Sequence, residues 1–151
     1  MTLAPSIKST FAAIGAAIIG ATVAFAGQAS ALTSSITINS VGKTAQLEGT
    51  GYAALVPVTV TCATETTIDL TVEVRQQTGR DILGPTYVNS YGYESVPCGP
   101  TPTTYYVRTT TGGPDHKPGK ATVRVYAQEC DPNTFECVYS NEIEQSIRLV
   151  R

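Results

Sequence analysis

The stretch TIDLTVEVRQ, residues 67–76, alternates without a break. Ile68, Leu70, Val72 and Val74 fall on one side, and Asp69, Thr71, Glu73 and Arg75 on the other. A period of two sustained this long requires an extended strand with one dry face and one wet face, as in an antiparallel sheet packed on a core. The same period recurs in Val56, Val58, Val60 and Cys62, and again in Ala121, Val123, Val125 and Ala127. Gly and Pro punctuate the chain at short intervals after residue 32, and no helical period interrupts the pattern. The expectation is an all-β fold.

Shorter runs complete the set. Ile36 and Ile38 share a face, and a turn at Val41-Gly42-Lys43 leads to Ala45 and Leu47. Pro57 cannot donate to a ladder, so it is expected near a strand start or on an edge. The long strand is expected to end in the turn QTGRD, residues 77–81. Residues 79–95 lack a clean period and read as an edge strand with a bulge or loop. Val96 and Cys98 face inward, as do Tyr105 and Val107, which leaves Tyr106 and Arg108 outside. The run CVYSNEIEQSIRLV, residues 137–150, closes the chain with Ile143, Ile147 and Leu149 on its buried side. Seven or eight strands in this length fit an antiparallel immunoglobulin-like β-sandwich in one domain, residues 32–151.

The N-terminal region points to export. Lys8 is the one charge before the apolar run Phe11–Ala26, and Ala29-Ser30-Ala31 supplies small residues where a signal peptidase reads. Residues 1–31 therefore read as a secretory signal cleaved after Ala31. The run is shorter than the roughly 20 apolar residues of a spanning helix, so no membrane association is expected after cleavage. Without Lys8 the chain carries nine Lys and Arg against twelve Asp and Glu, interspersed. It has no basic run for a phosphate backbone, so nucleic acid is not an expected partner. The expected product is a secreted, extracellular monomer.

Four cysteines in a small exported chain read as two disulfides. Three connectivities are possible. Sequence order favours Cys62–Cys98, both on inward faces, and Cys130–Cys137. The segment between the latter, Asp131-Pro132-Asn133-Thr134, has the residue types of a type I turn at a hairpin tip. Zinc or redox chemistry would call for CxxC spacing, which the chain lacks. Asp131, Asn133 and Glu136 offer oxygen ligands but not the spacing or Gly of a calcium loop, so no metal is expected.

Catalysis is not expected either. His116 is the sole histidine, and it lies in GGPDHKPGK, which reads as a solvated surface loop. Asp115 is its chain neighbour, and adjacent residues do not orient each other as triad members do. Asp69 and Glu73 share a strand face, but no carboxylate pair is singled out for glycosidic chemistry. No phosphate-binding glycine loop is present, and no cofactor is expected.

The candidate binding residues are Tyr91, Tyr93, Tyr106 and Arg108. Exposed Tyr and Arg offer large contact area and hydrogen bonding at low entropic cost. They point to a non-catalytic module that binds an extracellular protein or glycan. A second reading makes the 130–137 tip a protease inhibitor that offers Phe135 to a specificity pocket.

The segments VPVTVTC, VPCGPTPTTYYV, PGKATVRVYAQEC and the closing IRLVR, behind a signal peptide, resemble small secreted bacterial immunoglobulin-like β-sandwich proteins. That resemblance implies the fold and export, and no activity. A looser resemblance is to the neocarzinostatin-like apoproteins, exported sandwiches with two disulfides. It implies carriage of a small molecule, of chromophore type, in a cleft.

Overall fold

The computed structural model describes residues 35–151. The expected signal peptide and its cleavage after Ala31 lie outside the described residues. Nine strands run through the rest: β1 (Ile36–Val41), β2 (Thr44–Glu48), β3 (Ala53–Cys62), β4 (Thr66–Asp81), β5 (Gly84–Cys98), β6 (Thr103–Thr111), β7 (Gly119–Cys130), β8 (Cys137–Tyr139) and β9 (Ile143–Val150). No helix occurs among the described residues.

The alternation read from sequence places the core. Ile68, Leu70, Val72 and Val74 of β4 are buried, with Val56, Val58 and Val60 of β3 and Val123, Val125 and Ala127 of β7. Ile36, Ile38, Leu47, Ile147 and Leu149 join the same cluster. Each such side chain contributes about 1.5–3 kcal/mol through removal from water.

The strands close into a ring instead of forming two separate sheets. The circuit runs β3-β2-β9-β7-β4-β5-β6 and returns to β3, a seven-stranded barrel, with β1 attached to β3 and β8 to β7. Three joints in the ring are short. β2 pairs antiparallel with β3 through Gln46–Glu48 and in parallel with β9 through Thr44–Gln46, and β5 meets β6 only at Ser90 and Tyr91. Away from that point Tyr105 bridges the seam by donating its hydroxyl hydrogen to the Pro97 carbonyl. Periodicity specifies which face of a strand is dry, but it is silent on whether sheet edges meet. For that reason the closure was not legible in sequence.

Four expectations about the elements are corrected. First, Pro57 lies in the middle of β3, opposite Tyr106 of β6. A residue's N–H and C=O leave a strand on the same side, and the Pro57 carbonyl accepts from Gly42 N at 2.8 Å. The missing N–H therefore faces the break between β1 and β2, where no ladder partner is lost. Second, QTGRD is not the end of β4: a register shift between Gln77 and Gly79 lets the strand continue to Asp81, opposite Gly84. The turn is Ile82-Leu83, both fully exposed, and the Asp81 carboxylate accepts from Leu83 N and Gly84 N.

Third, residues 84–98 form one continuous strand paired with β4 along its length. Its inward side carries Val88, Ser90, Gly92 and Val96, so the buried face is small and polar where an apolar period would have shown. Fourth, the run 137–150 is split into β8 and β9. Ser140 Oγ accepts from Ala127 N, and the Asn141 side chain takes both the N–H and the C=O of Ile38. These two hydrogen bonds, one accepted and one donated by Asn141, draw the chain away from the hairpin and toward β1.

Both expected disulfides are present. Cys62–Cys98 is buried and ties the end of β3 to the end of β5, and Cys130–Cys137 joins directly opposed residues of β7 and β8. Bridges of this kind persist in an oxidising environment. No helix among the described residues is long and apolar enough to cross a membrane.

Candidate functional site

Tyr91 and Tyr93 of β5 and Tyr106 and Arg108 of β6 all face outward on adjoining strands. Tyr91 sits opposite Thr110 of β6, two positions from Arg108. A Cβ at Gly92 would lie 2.6 Å from the Arg108 carbonyl oxygen, so only glycine lets the strands approach this closely. Exposure is 58% for Tyr91, 63% for Tyr93 and 66% for Tyr106.

Polar partners hold this wall in place. The Tyr91 hydroxyl donates to Glu73 Oε1 at 3.2 Å, and the negative charge of Glu73 raises the phenol's pKa. Tyr93 is raised too, first through its hydrogen bond with Asp69. Arg108 donates from Nε to Glu48 Oε2 at 2.6 Å and from Nη2 to the Tyr52 hydroxyl at 2.6 Å. Its guanidinium also lies 5.3 Å from the Tyr52 ring centre, and the bond to Glu48 raises its pKa. Tyr52 thus belongs to the wall, although it stands 56 residues from Arg108 in the chain and nothing in GTGY marks it. Tyr87, on the same face of β5, turns elsewhere: the Arg75 guanidinium stacks over its ring at 3.9 Å.

His116 overturns its expected place on a solvated loop surface. It is 1% exposed and plugs one end of the barrel. Two devices fold the loop inward. His116 N donates to the Gly51 carbonyl at 2.9 Å, and a Cβ at Gly51 (φ +120°) would stand 2.1 Å from the His116 carbonyl oxygen. The buried Gln76 amide clamps Lys117 from both sides, accepting from its N at 2.9 Å and donating to its carbonyl at 2.7 Å. Ser90 and Thr109, the polar inward positions of β5 and β6, receive the imidazole.

The direction of the hydrogen bonds decides what this cluster can do. Thr109 Oγ1 donates to the Ala54 carbonyl at 3.3 Å, which can only accept. Ser90 Oγ donates to Thr109 Oγ1 at 2.9 Å, so the His116 Nε2 at 2.9 Å from Ser90 Oγ is the donor. The Ser90 proton therefore points away from the imidazole, the reverse of a nucleophile delivering its proton to a base. Nδ1 is buried without a partner, and burial pushes the imidazole's pKa down. Asp115 does not orient the ring, because Nε2 bonds Ser90 and Nδ1 has no partner, while the Asp115 carboxylate accepts from the Thr50 hydroxyl.

At the 130–137 tip, Asp131 Oδ1 accepts from Asn133 N and Thr134 N, which holds its pKa below the usual carboxylate range. Phe135 is 83% exposed and sits at φ 59°. That is left-handed backbone, whereas a segment added to a cleft as a strand is extended. The described residues contain no group of three or more His, Cys, Asp or Glu able to hold a metal.

The chain matches no protein-family model, and no curated protein or solved structure is significantly similar to it.

Proposed function

We propose that this chain is an exported, non-catalytic binding module that engages an extracellular protein or glycan through the β5–β6 wall. One observation carries the reading. Tyr91, Tyr93 and Tyr106 are exposed on the same two adjoining strands as Arg108, which Glu48 and the exposed Tyr52 hold in place. Tyr52, Tyr91 and Tyr93 are hydrogen-bonded before binding and so lose little entropy on contact, and Tyr and Arg are the residue types on which interface energy concentrates. The Ser90 proton, given to Thr109 and directed away from His116, supports the absence of hydrolytic chemistry. The parallel β2–β9 joint and the two-residue β5–β6 joint support an immunoglobulin-like sandwich arrangement, because they separate β1, β2, β3 and β6 from β4, β5, β7 and β9.

The test is a Tyr91→Ser, Tyr93→Ser double variant, compared with the unmodified protein on a glycan array and against solubilised cell-surface protein. Loss of the bound species, with an unchanged melting temperature, is expected. Equal binding by both proteins removes the wall from the function.

A further inference from the structure

The opposite wall of the barrel carries a second feature, independent of the tyrosines. Lys120 of β7 and Arg148 of β9 are directly opposed in the antiparallel ladder. Like charges in that position destabilise a sheet. Lys43 adds a third cation, because its carbonyl accepts from Arg148 N at 2.9 Å. These three line one open groove with Ser146, and no carboxylate lines it. A second groove adjoins it, sharing Lys120 and Ser146, and adds Arg75, Gln77 and the edge of Tyr87. Its one acid, Glu144, lies opposite Arg124, which Glu142 already holds in an ion pair.

Four of the nine Lys and Arg in residues 35–151 thus gather on one face of an acidic chain. The ion pairs among the described residues are Arg108–Glu48 and Arg124–Glu142, and neither involves Lys43, Lys120 or Arg148. Folding alone gains nothing from opposing two cations. An anion bridging them turns the repulsion into attraction.

We infer that this double groove binds an acidic polysaccharide. The cations receive its carboxylate or sulfate groups, and Gln77, Thr122 and Ser146 offer hydrogen bonds to its hydroxyls. The half of the groove lined by Arg75, Gln77, Thr122 and Ser146 is open and mainly polar, which suits a hydrated sugar chain better than the apolar side chains of a peptide.

Calorimetric titration of the purified protein with oligogalacturonate tests this, with neutral dextran, polyglutamate and a DNA duplex as competitors for the assignment. Oligogalacturonate is expected to bind at low salt and to weaken as salt screens the charges. Lys120→Gln and Arg148→Gln are each expected to weaken it by roughly tenfold, as loss of a charge-assisted bond does, while Lys120→Arg retains it. The Tyr91→Ser, Tyr93→Ser variant is expected to bind as the unmodified protein does, which separates this site from the tyrosine wall. Absence of oligogalacturonate binding at low salt, or unchanged affinity in both glutamine variants, overturns the inference. Equal or tighter binding of dextran, polyglutamate or DNA overturns it as well.

Discussion

His116 is held neutral by its surroundings, and that has a consequence for acid stability. Burial lowers its pKa, with the charge of Asp115 opposing in part. In the unfolded chain the imidazole takes up a proton near its ordinary pKa of about 6.5. Between that value and the lower folded one, the unfolded state binds more protons than the native state, so stability rises with pH and is lost as pH falls through the window. Urea denaturation between pH 7.5 and 5.5 is expected to show this loss, and a His116→Gln variant to lack it. Parallel curves for the two proteins would show that the imidazole titrates alike in both states. Thr109→Val, which removes the acceptor of the Ser90 hydroxyl, is expected to cost about 1–3 kcal/mol in the same measurement at pH 7.5. None of this was legible locally. His116 stands among Gly, Pro, Asp and Lys, the composition of a wet loop, and its receptors Ser90 and Thr109 look like ordinary strand residues. Burial here comes from Gly51 and Gln76, which are distant in the chain.

Strands β4, β7 and β3 were readable because each buries one face against apolar neighbours, which forces a period of two on the sequence. Strand β5 was not, because its inward side abuts the hydroxyl and imidazole cluster and the β6 backbone. Gly92→Ala places a methyl group 2.6 Å from the Arg108 carbonyl, on backbone that cannot move aside cheaply. It is expected to cost about 1–3 kcal/mol, as overpacking does, and to weaken binding at the tyrosine wall by displacing β6. Thermal melts and the array signal measure the two effects separately. The disulfides divide by position. Their loops span sequence separations of 36 and 7, for which chain entropy gives roughly 3.8 and 2.5 kcal/mol. Replacing both Cys130 and Cys137 by Ala is expected to cost at most the smaller figure and to leave the wall intact. Replacing Cys62 and Cys98 costs more, since it also empties volume in the core. Denaturant midpoints of the two double variants should rank in that order.

Across the molecule, stability is expected to be uneven. Strand β4 is paired on both sides, by β5 and β7, whereas the ring closes at β2–β9 and β5–β6 through a few residues each. Hydrogen exchange is expected to be slowest in the centre of β4 and fastest at these joints, because local opening there breaks few contacts. Uniform protection around the ring would instead mean that it opens as one cooperative unit. Sequence alone determined the all-β class and the faces of most strands, and it favoured the observed cysteine pairing and the outward placement of Tyr106 and Arg108. Those properties follow from alternation and from chain order, which are local. Closure of the barrel, the burial of His116, the recruitment of Tyr52 and the confrontation of Lys120 with Arg148 were decided only by tertiary structure. Each depends on which strand edges meet and in what register, and such pairings join residues that the chain keeps far apart.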